Sequence, residues 1–208
     1  LGMTGWWIYE KEKHSNIEFI LNTESIYFND YRNFGTLSFC NQQNLEKKLK
    51  ELGPDILDNS NPDNNYQLFL QRLERKRNDT LIATALLDQK VVAGCGNYLR
   101  AECLYIAKIS PFREISKLSK IEVKKIWDIL RQLAWYYYDE KQGIKLGIIN
   151  DNILSKLFDK YKKSGPSKYK PKTGSFLVYR QDKDPNGYPV LTETINNRTI
   201  HYVKQIQK

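Results

Sequence analysis

The chain has 208 residues, of which 40% are hydrophobic and 27% charged, and this composition excludes an intrinsically disordered chain. The formal net charge is +9, and residues 151–208 alone carry 12 Lys/Arg against 5 Asp/Glu. Such a basic segment favours a polyanionic partner, although a solvated surface explains it at least as well.

The cysteine and hydropathy patterns narrow the class of protein further. The three cysteines are odd in number and none forms a C-x-x-C pair, so an intracellular protein without a disulfide framework is predicted. The chain has only two histidines, and the spacing of the cysteines and histidines gives no four-ligand zinc site. We expect neither a metal nor a cofactor. No apolar run is long enough to span a membrane, and no signal peptide is visible.

Residues 1–40 are predicted to be β-structure, and residues 1–53 are expected to form the C-terminal part of a β-sandwich domain. Apolar residues alternate with polar ones in short runs separated by turn-rich gaps, which is typical of an antiparallel meander or the end of a β-sandwich. A short helix is predicted over 44–52, and Gly53-Pro54 ends it. Residues 54–65 are rich in Asn, Asp and Pro and are predicted to be a linker.

Residues 66–149 are predicted to be mostly helical. The first three helices are expected over 67–77, 80–88 and 98–107. The spacing of Ser119 and Glu122 fits a capping box, and the apolar residues behind it recur at helical spacing as far as Tyr137. An aromatic stripe of this kind is far more often part of a core than of a cofactor site.

The end of the chain is predicted to return to β-structure. Residues 150–175 are rich in Lys, Pro, Gly and Ser, which indicates a flexible basic loop. Residues 176–208 are expected to hold a strand over 176–180 and a hairpin with the turn Asn196-Asn197 and Arg198 at its tip. The predicted fold class is α+β: the last part of a β-sandwich, a helical domain, and a β-hairpin.

The stretch 86–111 carries the most specific motif. It reads LLDQKVVAGCGN, followed by a helix and a proline. Gly94 and Gly96 permit close approach of the backbone to a phosphate, and Asn97 can cap the next helix or bind a phosphate. Taken alone, G-x-G-N is more often a plain glycine turn with an Asn cap. The whole stretch, however, resembles the helix–two-turn–helix motif of the Fpg/Nei DNA glycosylases.

Two earlier stretches are similar to further motifs of that family. Residues 1–5, LGMTG, resemble its HLGM-S/T-G motif, and residues 30–35, DYRNFG, resemble DPRRFG. The resemblance implies that Met3, Arg32 and Phe34 fill the gap left by a flipped nucleotide. An apolar wedge then stacks in the void and a guanidinium pairs with the orphaned base. Without the resemblance, Met3 and Phe34 are better explained as core residues.

The C-terminal hairpin resembles the finger of the same family, with one departure. Arg198-Thr199 and Gln207 match the finger's ending, but Val203 and Ile206 stand where its last two cysteines would be. This is similar to the zincless finger of the Nei-like 1 enzymes, in which apolar packing replaces the metal. The resemblance implies that Arg198 enters the minor groove or grips the flanking phosphates. The DNA-binding residues that it implies are Gly94, Gly96, Asn97 and Arg198.

The resemblance implies a monomeric base-excision-repair DNA glycosylase with AP lyase activity, which removes oxidised bases from duplex DNA. In the family the nucleophile is an N-terminal Pro amine, assisted by a Glu and a Lys, all before the HLGM motif. The chain begins at Leu1 within that motif, so we assign no catalytic residue and expect a truncated chain that is inactive alone. We expect a soluble intracellular protein in whichever compartment holds its DNA, nuclear or viral.

Two alternatives stay open on the sequence. The first is a non-catalytic module that binds damaged or abasic DNA. The second is an RNA-binding protein like the ribosomal ones that carry a helix–two-turn–helix, although the void-filling residues and the finger argue against it. The sequence does not indicate the preferred damaged base, because residues 150–175 are too divergent to align.

Overall fold

The computed structural model describes residues 5–33, 35–149 and 176–208. The loop predicted over 150–175 lies outside them, as do Met3 and Phe34. The chain divides between residues 46 and 47 into two compact units, each of which is described by itself. None of the helices in the described part of the chain combines the length and apolarity needed to cross a membrane.

The first unit is built on a three-stranded antiparallel sheet. Its strands are β1 (Gly5–Ile8), β2 (Ser15–Ile20) and β3 (Ser25–Asp30), and β3 lies in the centre. The ring of Trp7 packs against the rings of Phe19 and Phe28, with centroid distances of 5.5 and 5.0 Å. These rings stand on one face because alternate residues of a strand point to the same side of a sheet.

The helix predicted over 44–52 is present as α1 (Gln42–Glu51) and crosses the division between the units. It starts earlier than predicted because the Oδ1 atom of Asn41 accepts a hydrogen bond from the backbone N–H of Asn44, at 2.9 Å. Beyond its end, the backbone N–H of Gly53 donates to the carbonyl of Gln89, at 2.8 Å. Residues just after α1 are thus tied to the helical part of the second unit.

The second unit is mainly helical. Its helices are α2 (Pro62–Glu74), α3 (Ile82–Ala85), α4 (Asn97–Ala107) and α5 (Lys120–Lys145), with a 3-10 turn at Ile115–Lys117. Helix α2 begins five residues before the predicted start, because the side chain of Asn61 caps it and Pro62 occupies its first turn. Helix α5 begins with the predicted capping box of Ser119 and Glu122.

The core of this unit forms around helix α4. Every residue from 99 to 107 is buried, although that run contains an Arg and a Glu. Helix α5 packs along α4 and brings the buried Trp127 against Phe69 of α2, with a ring-centroid distance of 5.0 Å. The apolar stripe of α5 is therefore core, as its spacing predicts.

The C-terminal hairpin forms as predicted. Strands β4 (Leu191–Ile195) and β5 (Arg198–Tyr202) pair antiparallel, and Ile195 faces Arg198 across the two-residue turn. Both turn residues, Asn196 and Asn197, have positive φ angles of 49° and 59°. That geometry matches the right-handed twist of the strands, and Asn adopts it more readily than most residues.

Two predicted elements are wrong in detail. Residues 176–180 form turns and not a strand, because their N–H groups bind a buried carboxylate instead of a neighbouring strand. The helix predicted over 80–88 is only the single turn α3, since the backbone N–H groups of Leu87 and Asp88 bond to residues three positions back and tighten the chain into turns.

The capping box at α5 gives a stability prediction. Replacing Ser119 with Ala removes the acceptor for the Glu122 N–H, and we expect the free energy of unfolding to fall by about 1 kcal/mol in urea denaturation. Lys117→Ala is the control, because it removes only an exposed ion pair to Glu114 and is expected to change stability by less than about 0.5 kcal/mol. Equal effects of the two substitutions would contradict the role of the cap.

Candidate nucleic-acid interface

The turn that leads into α4 is fixed by one side chain. The Oε1 atom of Gln89 accepts the N–H of Gly94 at 2.9 Å, and its Nε2 atom donates to the carbonyl of Cys95 at 3.0 Å. Gly94 has a φ of +91°, a conformation that side-chain-bearing residues rarely adopt. Gln89 therefore acts as a clamp that holds the glycine turn in one shape.

The same turn presents the N-terminus of helix α4. Gly96 is the N-cap residue and has no side chain to satisfy the first N–H groups of the helix. A Cβ at Gly96 would meet nothing within 4 Å, so the space beside this helix end is open. An uncapped helix N-terminus with open space beside it is suited to an anion, because its N–H groups and its dipole both favour negative charge.

Asn97 joins this helix end to the C-terminal hairpin. Its Nδ2 atom donates to the carbonyl of Thr199 at 2.8 Å, and its Oδ1 atom accepts from the guanidinium of Arg100. Thr199 follows Arg198, whose side chain is exposed. The structure thus brings together two predicted DNA-binding residues that are far apart in the sequence.

Beneath these residues lies a buried positive charge. Arg100 is fully buried and donates to the carbonyls of Ala83 and Thr199, at 3.2 and 3.1 Å. The salt bridges among the described residues do not include it. Burial lowers the pKa of Arg100 to about 10, so the guanidinium stays charged at neutral pH. Its charge adds to that of Arg198 at the same helix end.

A buried carboxylate on α4 organises the segment before the hairpin. Glu102 accepts the backbone N–H groups of Leu177, Val178 and Tyr179, at 2.7, 2.9 and 2.8 Å. Burial raises the pKa of Glu102 to about 7, and the three N–H donors oppose that rise by favouring the charged form. The three bonds explain why this β-prone stretch turns back on itself.

Two further side chains extend the attachment along α4. The hydroxyl of Tyr105 donates to the buried carboxylate of Asp184, at 2.9 Å, and Asp184 in turn accepts the N–H groups of Asn186 and Tyr188. Beyond the helix, the side chain of Gln207 donates to the carbonyl of Ile109 at 3.0 Å. The residues after 176 are therefore held from one end of α4 to the other.

The two positions at which the finger departs from its metal-binding pattern lie within this attachment. Val203 is fully buried in the core cluster, and Ile206 packs against the same cluster. Within residues 5–33, 35–149 and 176–208, no group of three His, Cys, Asp or Glu side chains is placed to hold a metal ion. Apolar contacts and the polar contacts from α4 position this hairpin.

In the first unit, the loop 30–35 carries the one void-filling candidate that the structure describes. The carboxylate of the buried Asp30 accepts the N–H groups of Arg32 and Gly35, at 3.3 and 2.5 Å, so it fixes the backbone at both residues. A Cβ at Gly35 would lie 2.8 Å from that carboxylate, which explains the glycine. The Arg32 side chain is exposed and available to a partner.

Comparisons with known proteins match both parts of the second unit. A family profile described as "Formamidopyrimidine-DNA glycosylase H2TH domain" matches residues 52–135, and one for the C-terminal domain of the same enzyme matches residues 167–208. A formamidopyrimidine-DNA glycosylase of Bdellovibrio bacteriovorus is 30% identical over 216 residues, which cover 100% of this chain and 73% of that protein. The chain belongs to the Fpg/Nei family of DNA glycosylases.

The chain is also similar to other members of the Fpg/Nei family, and it spans less than half the length of the first of them. The enzyme of Oceanobacillus iheyensis is 42% identical over 118 residues, which are 55% of this chain and 40% of that protein. The structure of Lactococcus lactis Fpg bound to DNA with an AP site superposes with a TM-score of 0.68 at 22% identity, covering 100% of this chain and 72% of that one. The structure of Thermus thermophilus Fpg superposes with a TM-score of 0.68 at 23% identity, covering 99% of this chain and 73% of that one.

The comparisons confirm the predicted family and the α+β fold class. Sequence reasoning missed three α4 side chains, Arg100, Glu102 and Tyr105, which attach the finger of this Fpg/Nei protein. The available signal was weak: an Arg and a Glu occur in a helix whose other residues are nearly all apolar, and an Arg or Glu in such a run is buried only when it has partners.

The buried Glu102 gives a pH prediction. Because its pKa in the folded protein, about 7, lies above the ordinary value of 4.5, the folded state binds the proton more tightly than the unfolded chain. The stability that this group contributes is full below pH 4.5 and is lost as the pH rises through 7. We expect Glu102→Gln to abolish a fall of about 2–3 kcal/mol in unfolding free energy over that window.

The measurement is urea denaturation at several pH values, with Glu74→Gln as the control because Glu74 is exposed. The Gln variant is also expected to show a loss of stability that does not change with pH, since its amide nitrogen would face one of the three N–H donors, and an unpaired buried N–H costs about 1–3 kcal/mol. Identical pH curves for wild type and Glu102→Gln would contradict the assignment.

Proposed function

We propose that the protein acts in base excision repair as a DNA glycosylase with AP lyase activity on oxidised bases, and that this chain carries its recognition of duplex DNA. The supporting observation is the cluster at the N-terminus of α4, where Asn97 and the buried Arg100 both bond to the carbonyl of Thr199, next to the exposed Arg198 and beside open space. Phosphate is the anion that such a cluster suits, and phosphate contacts set the register of a protein on a duplex.

The three residues have different parts in the proposed phosphate site. The exposed Arg198 contributes a mobile charge that can pair with a phosphate and release a counterion. Asn97 contributes the second N–H of its neutral amide. The direction of this N–H is fixed, because the first donates to the carbonyl of Thr199 and the Arg100 guanidinium holds the Oδ1 atom. The buried Arg100 contributes a fixed positive charge with little side-chain entropy left to lose on binding.

The loop 30–35 is the second part of the proposal. Arg32 would pair with the base left without a partner after the damaged nucleotide leaves the stack, as the DPRRFG-like motif implies. An exposed guanidinium on a loop built around a buried carboxylate supports this role, because the loop is shaped before DNA arrives. The related Lactococcus lactis Fpg is described in a complex with a DNA that contains an AP site, which supports the same class of ligand here.

A binding experiment tests the recognition role. The chain is titrated with a duplex carrying a tetrahydrofuran abasic analogue and with undamaged duplex, at about 50 and about 200 mM salt. We expect tighter binding to the abasic duplex, and Asn97→Ala and Arg198→Ala should each weaken it by about tenfold. Arg77→Ala is the matched control, because Arg77 is an exposed arginine of the same unit that pairs with Asp79.

The salt dependence separates the two contacts. Arg198→Ala should reduce the slope of log affinity against log salt by about one, since one charged phosphate contact is lost. Asn97→Ala should leave the slope unchanged because its amide is neutral and Arg100 still binds the carbonyl of Thr199 next to Arg198. Salt-sensitive binding without preference for the abasic duplex, and without an effect of either substitution, would reduce the proposal to an unspecific basic surface.

The chemical step is not assigned to any residue of this chain. We therefore expect this chain to bind the abasic duplex without cleaving the DNA. With an aldehydic abasic site and borohydride, we expect the chain to form no covalent adduct. The control is a bacterial Fpg under the same conditions, in which a trapped Schiff base is the expected product. A trapped adduct on this chain would show that one of its own amines acts as the nucleophile.

A further inference from the structure

The loop 30–35 is held by more than the carboxylate of Asp30. The ring of Tyr31 packs on the ring of His14, with a centroid distance of 4.1 Å. Asn33 adopts a positive φ of 53°, which lets the chain reverse within the loop. Arg32 therefore lies between two residues whose conformations are set by neighbours in the first unit.

A β-bulge in strand β2 supplies a further hold on this loop. Ser15 pairs with Asn29 and Ile17 with Phe28, so the intervening Asn16 has no partner residue in the ladder. A bulge re-aims the side chain of its extra residue. Here the Nδ2 atom of Asn16 donates to the carbonyl of Asp30 at 2.9 Å and to the Oδ1 atom of Asn33 at 3.2 Å.

We propose that Asn16 is a positioning residue for Arg32, and that it holds residues 30–33 in place before DNA binds. The inference rests on the proposed function, because Arg32 acts on DNA only there. The two acceptors of the Asn16 amide, on residues 30 and 33, stand on either side of Arg32. One side chain thus restrains both ends of the short segment that carries the guanidinium.

The advantage of such a restraint is entropic. A loop that is ordered only on binding loses backbone and side-chain freedom at that moment, and the loss weakens the complex. A loop ordered beforehand by Asn16 avoids part of that loss. The effect should appear where Arg32 enters the duplex, at a void opposite an orphaned base, and not in contacts with undamaged DNA.

Asn16 can be tested without disturbing the core of the loop. Its side chain is exposed, whereas the carboxylate of Asp30 is buried and its loss would leave two N–H groups without acceptors. Ser15→Ala is the matched control, because the hydroxyl of Ser15 accepts the N–H of Glu12 at 2.9 Å on the same bulge but does not bond to the loop.

The first experiment needs no DNA. Backbone amide exchange of Arg32 and Gly35 is followed in the free chain for wild type, Asn16→Ala and Ser15→Ala. We expect exchange of both amides to be at least about fivefold faster in Asn16→Ala than in the other two proteins, because the loop opens more often. Unchanged exchange in Asn16→Ala would overturn the proposal, whatever the binding to DNA.

The second experiment measures whether the restraint acts through Arg32. A tetrahydrofuran duplex carries 2-aminopurine as the opposing base, so that loss of its stacking reports entry of a side chain into the void. We expect Asn16→Ala to weaken binding to this duplex about three- to tenfold and to lower the fluorescence gain, with affinity for undamaged duplex unchanged. In an Arg32→Ala background, Asn16→Ala should have no further effect.

The outcomes separate the two proposals. Additive losses from Asn16→Ala and Arg32→Ala would mean that Asn16 does not act through Arg32, which overturns the positioning role. If wild type shows no preference for the abasic duplex, the proposed function fails. Faster exchange in Asn16→Ala would then still show that Asn16 shapes the loop, but the link to DNA recognition would be rejected.

Discussion

The interaction on which the rest of the second unit depends is the acceptance of three backbone N–H groups by the buried carboxylate of Glu102. A carboxylate without partners in a protein core is strongly unfavourable, and so are backbone N–H groups without acceptors. Here the carboxylate is the acceptor for the three N–H groups, and those N–H groups are the hydrogen-bond partners of the carboxylate. The segment that enters the finger can therefore be buried against α4 without forming either a strand or a helix.

This attachment determines where the hairpin lies. Glu102 holds its approach, Tyr105 holds the turn at Asp184, and Asn97 holds strand β5 through the carbonyl of Thr199. All three side chains project from α4, and α4 is packed against α5. The hairpin is therefore bonded directly to the helical core. A finger held in this way keeps Arg198 beside the N-terminus of α4, which is the geometry that the proposed phosphate site needs.

The first unit uses the same means at smaller scale. A buried acid, Asp30, accepts the N–H groups of the loop that bears Arg32, and Asn16 restrains that loop from a bulge in the adjacent strand. In each unit an exposed arginine is proposed to touch DNA. The backbone beside that arginine is bonded to polar side chains: Asn97 and Arg100 beside Arg198, and Asp30 and Asn16 beside Arg32. Precise placement of a flexible arginine requires such support, because its own side chain has many rotamers.

The sequence by itself determined the family, the α+β class, the capping box at Ser119 and the hairpin turn at Asn196-Asn197, because each of these depends on residues adjacent in the chain. It also pointed to Asn97 and Arg198 through motifs. Only the tertiary structure decided that Asn97 bonds to the residue next to Arg198, that Arg100 is buried, and that residues 176–180 are turns. These outcomes depend on hydrogen bonds between residues about 75 to 102 positions apart. Local propensity carries no information about such partners, and a β-prone sequence becomes a turn when its N–H groups find a carboxylate first.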